Sequence, residues 1–153
     1  MQLTRFTDYA LRVLIYLGAH PDRLSTISEV AESYKISANH LMKVVNHLAT
    51  TGYVGTVRGK GGGMRLSRAP HLINIGDVVR DCEDSLNIVE CFDPRIRDCP
   101  LLPSCTLKSV LSEAKKNFLA TLDSYSLQDM LGARTAGLLQ RGRAIRIAVR
   151  AAD

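Results

Sequence analysis

The chain lacks any long hydrophobic run. No stretch of about twenty uncharged apolar residues occurs in its 153 residues, which excludes a membrane-spanning helix of ordinary length. The N-terminal apolar stretch is interrupted by Arg5, Asp8 and Arg12, and no small-residue cleavage site follows it, so a signal peptide is not indicated. These absences predict a cytoplasmic protein with no membrane partner, in a compartment where thiols stay reduced.

Catalytic motifs are missing as well. No serine or cysteine stands in a nucleophile motif with a base, and no pair of acids has the pattern of a catalytic cleft. The glycine-rich GKGGG at 59–63 lacks the G-x-x-x-x-G-K-[ST] spacing of a nucleotide-binding loop and does not lead into a helix. The sequence therefore predicts a protein that is not an enzyme.

Charge is distributed unevenly along a chain whose formal net charge is +5. Residues 1–68 carry nine Lys or Arg against four Asp or Glu, residues 69–133 carry six against ten, and residues 134–153 carry five against one. A basic first part beside an acidic middle predicts that one region binds a polyanion, although a solubilising mixture of charges would give the same totals. The basic tail at 132–153 is predicted to be flexible, and it either adds nonspecific phosphate contacts or has no role.

Residues 1–70 have the pattern of a winged helix-turn-helix head. A capping box of Thr26 and Glu29 begins the second helix, and Ser37 is placed to cap the third. The predicted helices and strands lie at 3–19, 26–34, 37 to about 50, 53–57 and 64–66. Three helices followed by a hairpin predict a mainly α fold with a small β-hairpin wing.

Residues 71–131 form a second region. Asn74 is placed to cap a helix that ends near Cys82, and Cys82 is interpreted as a buried structural residue. A cysteine loop at 91–105, a long amphipathic helix at 106–122 and a further turn or two at 126–131 follow. The long helix suits pairing of two subunits, but its apolar spacing equally suits packing onto its own head.

Candidate DNA contacts lie at the start of the third helix and in the wing. A recognition helix presents its N-terminal residues to base edges in the major groove. In this chain those residues are Ser37, Asn39, His40 and Lys43. In the wing, Arg58 and Lys60 flank glycines that permit close approach to a narrow minor groove. The competing interpretation of both groups is an ordinary solvated surface.

Three thiols, Cys91, Cys99 and Cys105, lie on one loop with seven and five residues between them. The paired spacing of a zinc finger, the C-x-x-C of a thioredoxin-like site and the tighter spacing of a ferredoxin are all absent. Three interpretations remain open: an iron–sulfur cluster with a non-cysteine fourth ligand, a zinc site with such a ligand, or a thiol switch without metal.

Four segments together resemble the IscR-type family of bacterial winged-helix regulators, and within it the nitric-oxide-sensing repressors. They are MQLTRFTDYALRVLIYL, ISEVAESYKISANHLMKVVNHLATTGYV, VRGKGGGMRL and the loop of three cysteines followed by LK. The resemblance covers residues 1 to about 131. It implies a homodimer paired through 106–122, with one iron–sulfur cluster per subunit, 2Fe-2S or 4Fe-4S, on Cys91, Cys99 and Cys105.

The fourth ligand implied by the resemblance is a carboxylate from across the dimer. The IscR branch has a histidine three residues after the last cysteine, where this chain has Lys108, and this difference favours the nitric-oxide-sensing branch. The residue that matches the aspartate ligand of that branch is Asp8, supplied by the partner subunit. Asp8 lies inside a helix that is apolar on most sides, and Arg12 at i+4 either forms a simple salt bridge with it or supports it as a ligand.

The implied function is a repressor that binds a partly palindromic operator in double-stranded DNA and releases it when nitric oxide, its ligand, nitrosylates the cluster. Two alternatives have the same head. One is a regulator that responds to redox state or iron supply through the cluster. The other is a zinc or thiol-switch regulator whose loop binds a protein partner.

Overall fold

A computed structural model of the chain describes residues 2–132, 135 and 137–139. Most of the basic tail predicted at 132–153 lies outside these residues. The helices and strands are α1 (Arg5–Gly18), α2 (Ile27–Tyr34), α3 (Ala38–Thr50), β1 (Val54–Val57), β2 (Gly63–Leu66), α4 (Ile75–Cys82) and α5 (Thr106–Asp123). Short 3-10 turns lie at Pro70–Leu72, Glu90–Phe92, Leu102–Ser104 and Leu127–Met130. The fold is mainly α with a two-stranded antiparallel wing, as predicted.

Two of the first three helices begin at a residue whose side chain caps the helix. Thr4 caps α1, because its Oγ1 accepts the backbone N–H of Thr7 at 3.3 Å. Thr26 and Glu29 form the predicted reciprocal capping box at the start of α2. The predicted cap of α3 is wrong, since the side chain of Ser37 makes no capping hydrogen bond. Only the Ser37 carbonyl is engaged, accepting the Leu41 N–H at 3.1 Å, and α3 is held instead by burial of its inner face.

The wing is an antiparallel hairpin in which Val54 pairs with Leu66 and Val57 with Gly63. Gly59 and Gly61 have positive φ angles, which side-chain-bearing residues rarely adopt. A side chain at Gly62 would collide with the carbonyl of Val57, so the tight turn also requires glycine there. The wing is joined to the head by an unpredicted bridge, in which the backbones of Ser25 and Met64 exchange hydrogen bonds of 2.9 and 2.8 Å.

The core lies between α1, the inner face of α3, the base of the wing and α4. Its largest fully buried side chains are Tyr16, Leu14, Leu41, Leu48, Met64, Ile73, Leu127, Val13, Val30, Val44, Val78 and Val79. Burial of these side chains is the main favourable free-energy term in folding this head. No helix in the described part of the chain is long and apolar enough to cross a membrane.

Helix α5 is attached to the head at its C-terminal end. Arg80 on α4 donates two hydrogen bonds to the Asp123 carboxylate, at 2.7 and 2.6 Å. Asn74 caps α4 as predicted, and its amide also donates to the Asp123 carbonyl at 2.7 Å. No residue of α5 is buried, and Leu107 and Val110 near its start are 65% and 55% exposed. The N-terminal half of α5 therefore presents apolar side chains that do not pack onto the head of the same chain.

Candidate functional site

Helix α3 turns one face inward and the other to solvent. Leu41, Val44, Val45 and Leu48 are buried, whereas the predicted contacts Ser37, Asn39, His40 and Lys43 are all exposed. Asn46 is also exposed on this outer face, three residues after Lys43 and seven after Asn39. Helical periodicity applied to the outer face would have found it. The outer face offers amide and ammonium groups suited to base edges and phosphates.

The wing adds positive charge beside α3. Arg58 and Lys60 are exposed in its turn, as the sequence predicted. Arg65 is exposed on β2, where it pairs in register with Gly55, and sequence reasoning missed it. The alternation of side chains along β2 could have indicated it, because the side chain of Met64 points inward and that of the next residue points to solvent. Three cations thus lie on one hairpin, a distribution typical of a surface that binds phosphates.

The three loop cysteines have different surroundings. Cys91 lies half-buried in the 3-10 turn Glu90–Phe92, and Cys99 is exposed between turns. Cys105 is the N-cap residue of α5, where its Sγ accepts the backbone N–H of Lys108 at 3.4 Å. All three are free cysteines. The start of α5 therefore fixes the third thiol, because a helix N-terminus offers N–H donors to an electron-rich atom.

Cys91 and Cys99 line one open cavity of about 620 Å³, together with Lys108. Pro94, Pro100 and Pro103 form part of its wall. Because proline fixes φ and cannot donate a backbone hydrogen bond, these residues keep the loop from becoming helical. The loop predicted from the sequence is thus a walled cavity with two thiols at its surface and the third at the adjacent helix start.

Soft thiolate sulfur is the donor that iron–sulfur clusters and zinc require, and the cavity has room for such a group. Among the described residues, however, no three His, Cys, Asp or Glu side chains converge on a point that could hold a metal ion. The thiols and the cavity therefore suit a cluster or zinc in donor chemistry and in volume. The single chain does not bring three such ligands together among its described residues.

Asp8 lies inside α1 as predicted, in the first turn of the helix rather than in its middle. Its carboxylate is 45% exposed and is paired with Arg12, with Nη2 to Oδ2 at 2.8 Å and Nε to Oδ1 at 2.9 Å. The Arg12 guanidinium also lies 5.8 Å from the centre of the Tyr34 ring. The predicted salt bridge is thus present, and it leaves Asp8 at the surface, where a second subunit has access to it.

Cys82 differs from the loop thiols, as the sequence predicted. It is 8% exposed at the end of α4. Burial raises the pKa of its thiol to about 11, and the neighbouring carboxylates of Asp81 and Glu83 act in the same direction. A thiol that stays neutral and buried is inert, which fits a structural role.

Exposed polar and basic groups on α3 and the wing of a winged helix-turn-helix head are features of a regulator that binds DNA. The sequence model of the Rrf2 family, described as an iron-dependent transcriptional regulator, matches residues 3–133. The chain belongs to the Rrf2 family. Curated relatives and solved structures of Rrf2-like regulators agree with this assignment.

One such relative is the HTH-type transcriptional regulator NsrR of Bacillus subtilis (strain 168), 55% identical over 132 residues, which are 86% of this chain and 90% of that protein. Another is NsrR of Geobacillus kaustophilus (strain HTA426), 46% identical over 89% of this chain and 93% of that protein. Among solved structures, T. potens IscR matches with a TM-score of 0.69 and 28% identity over 86% of each chain. CymR, the global cysteine regulator of B. subtilis, shares the fold, with a TM-score of 0.71 and 23% identity over 86% of this chain and 96% of that one. This Rrf2 chain is therefore a DNA-binding transcriptional regulator and not an enzyme.

Proposed function

We propose that this Rrf2 regulator is a repressor that senses nitric oxide through an iron–sulfur cluster held by Cys91, Cys99, Cys105 and Asp8 of the partner subunit. The observation that carries the proposal is the grouping of three free thiols around one cavity and the adjacent helix start. Three residues after the last cysteine, where the IscR branch has a histidine, this chain has Lys108, whose ammonium is a poor ligand. When bound, the cluster would supply iron that nitric oxide attacks, most readily where the ligand is a carboxylate rather than a thiolate.

The residues of this chain provide the link between the ligands and DNA. Cys105 is part of α5, and the exposed Leu107 and Val110 on that helix suit pairing with a second copy. Asp8 is part of α1, which packs directly against α3. A dimer of this kind would place two α3 helices in successive major grooves, and loss of the Asp8 ligand would shift α1 and with it the heads. Arg12 would hold the carboxylate of Asp8 when it is not a ligand.

The test begins with anaerobic purification, an absorption spectrum and an iron and sulfide assay. DNA obtained by selection from a random pool is then tested in gel shifts before and after stoichiometric nitric oxide. We expect a coloured protein that binds DNA and releases it with nitric oxide, and a colourless Cys99→Ala variant. Ser104→Ala is the matched control, because Ser104 is exposed on the same loop and is not a proposed ligand, and it should keep both colour and response.

Asp8→Ala tests the fourth ligand, with the exposed Asp22→Ala as its control. We expect Asp8→Ala to lose colour or nitric-oxide response, and Asp22→Ala to match wild type. Release by mild oxidant or iron limitation, but not by nitric oxide, would replace the proposal with the redox- or iron-responsive alternative. A colourless anaerobic protein that contains zinc or no metal would leave only the zinc or thiol-switch regulator.

A further inference from the structure

The end of α4 receives hydrogen bonds from three other parts of the head. The Asp81 carboxylate accepts the Tyr53 hydroxyl at 2.6 Å, and the Asp81 carbonyl lies 2.8 Å from Nε2 of His47. Two residues later, Oε1 of Glu83 accepts the backbone N–H of Thr4 at 2.7 Å and the hydroxyl of Thr7 at 2.5 Å. Residues 84–90 connect this point to the cysteine loop at 91–105. Neither group of contacts belongs to the DNA-reading face or to the thiol loop.

On one side, Glu83 holds the first turn of α1. The Thr4 carbonyl accepts the N–H of Asp8 at 3.1 Å, so the turn that Glu83 binds is the turn that carries Asp8. Thr7 is fully buried and its hydroxyl must find an acceptor there. A carboxylate at a helix N-terminus also interacts favourably with the helix dipole. Glu83 therefore sets the position of the turn on which Asp8 lies.

On the other side, Asp81 holds the C-terminal end of α3 and the base of the wing. His47 lies in α3, and Tyr53 is the buried residue just before β1. The His47 ring also makes an edge contact with Phe6 of α1, with centroids 5.3 Å apart. Between Asp81 and Glu83, the side chain of Cys82 is buried in the core. Because Cys82 is packed, a shift of either flanking residue would disturb the same buried side chain.

We propose that residues 81–83 form a joint that couples the segment leading to the cysteine loop, residues 84–90, to the first turn of α1 and to the end of α3, with Glu83 as a positioning residue for Asp8. This inference rests on the proposed function for the signal that acts on the joint. The coupling itself is a property of the chain with free thiols. Displacement of residues 84–90 would change the Asp8 turn and the recognition helix together.

Amide hydrogen exchange on the full-length chain with free thiols tests the joint. The reporters are the amides of Thr7 and Asp8 on one side and of Thr51 and Tyr53, which close the end of α3, on the other. Glu83→Gln keeps the shape of the side chain and removes its charge. We expect exchange to rise about tenfold or more on both sides, because the hydrogen bonds to a charged acceptor become weaker bonds to a neutral one. The adjacent, exposed Asp84→Asn is the matched control and should change neither side.

Asp81→Asn approaches the same joint from the other side, and it should raise exchange at the Thr7 and Asp8 amides, which it does not touch. A Glu83→Gln variant that changes only the α1 amides would overturn the coupling and reduce Glu83 to a local helix cap. Additive effects of Glu83→Gln and Asp81→Asn across both reporters would also overturn it, since coupled residues are non-additive. These exchange measurements do not depend on a cluster. A colourless protein would therefore contradict the proposed function, whereas the exchange results alone would support or overturn the joint.

Discussion

Cys82 should be the slowest of the four cysteines to react with an alkylating reagent. The thiolate is the reactive form, and burial raises the pKa of this thiol from 9.0 to about 11. Two pKa units correspond to about a hundredfold less thiolate at about pH 8, because each unit is a factor of ten. The side chain is also only 8% exposed, which slows the reagent further. We therefore expect alkylation of Cys82 to be at least about a hundredfold slower in the folded protein than in the unfolded chain.

The assay is a time course with iodoacetamide on chelator-treated protein, with each cysteine-containing peptide followed by mass spectrometry. Cys99, which is exposed, reports in the same tube on the activity of the reagent. The same time course in concentrated urea provides the unfolded reference, in which Cys82 and Cys99 should react at similar rates. Folded-state alkylation of Cys82 within about tenfold of its rate in urea would contradict the protection expected from its burial and its raised pKa.

Three further predictions concern the wing, the recognition helix and pH. Gly62→Ala should weaken operator binding about tenfold or more by opening the wing turn. Gly132→Ala should not weaken it, because a side chain there meets open space, and fluorescence anisotropy measures both affinities. Lys43→Ala should lower the slope of log affinity against log salt concentration by about one if Lys43 contacts a phosphate, and an unchanged slope would contradict that contact. Burial raises the pKa of Cys82 to about 11 and of Tyr34 from 10.0 to about 12. The free energy of unfolding is therefore higher at a pH where both groups are neutral. That contribution is complete below about pH 9 and is lost as the pH rises through 11 to 12, which urea-unfolding midpoints across this range would show.

Local signals predicted most of the secondary structure because their causes lie within a few residues. The box of Thr26 and Glu29 joins residues three apart, and Asn74 caps α4 by accepting the N–H of Asp77 at 3.1 Å. Ser37 shows the limit of this reasoning. It has the right side chain in the right place, yet its hydroxyl makes no capping bond. The candidate DNA contacts followed from the start of a recognition helix and from the wing turn, and the exposed Asn46 and Arg65 lie outside those two segments.

The sequence by itself determined the order of helices and strands, the glycines of the wing turn, the uneven charge and the three thiols of the loop. Tertiary structure decided which of these elements hold one another. Thr4 and Glu83 are 79 positions apart, and Tyr53 and Asp81 are 28 apart, so no local pattern indicates their hydrogen bonds. Packing also decided that Leu107 and Val110 remain exposed, although the apolar spacing of their helix equally suited packing onto its own head. Short-range hydrogen bonding and side-chain periodicity act within a few residues, whereas burial depends on surfaces that meet only after the chain has folded.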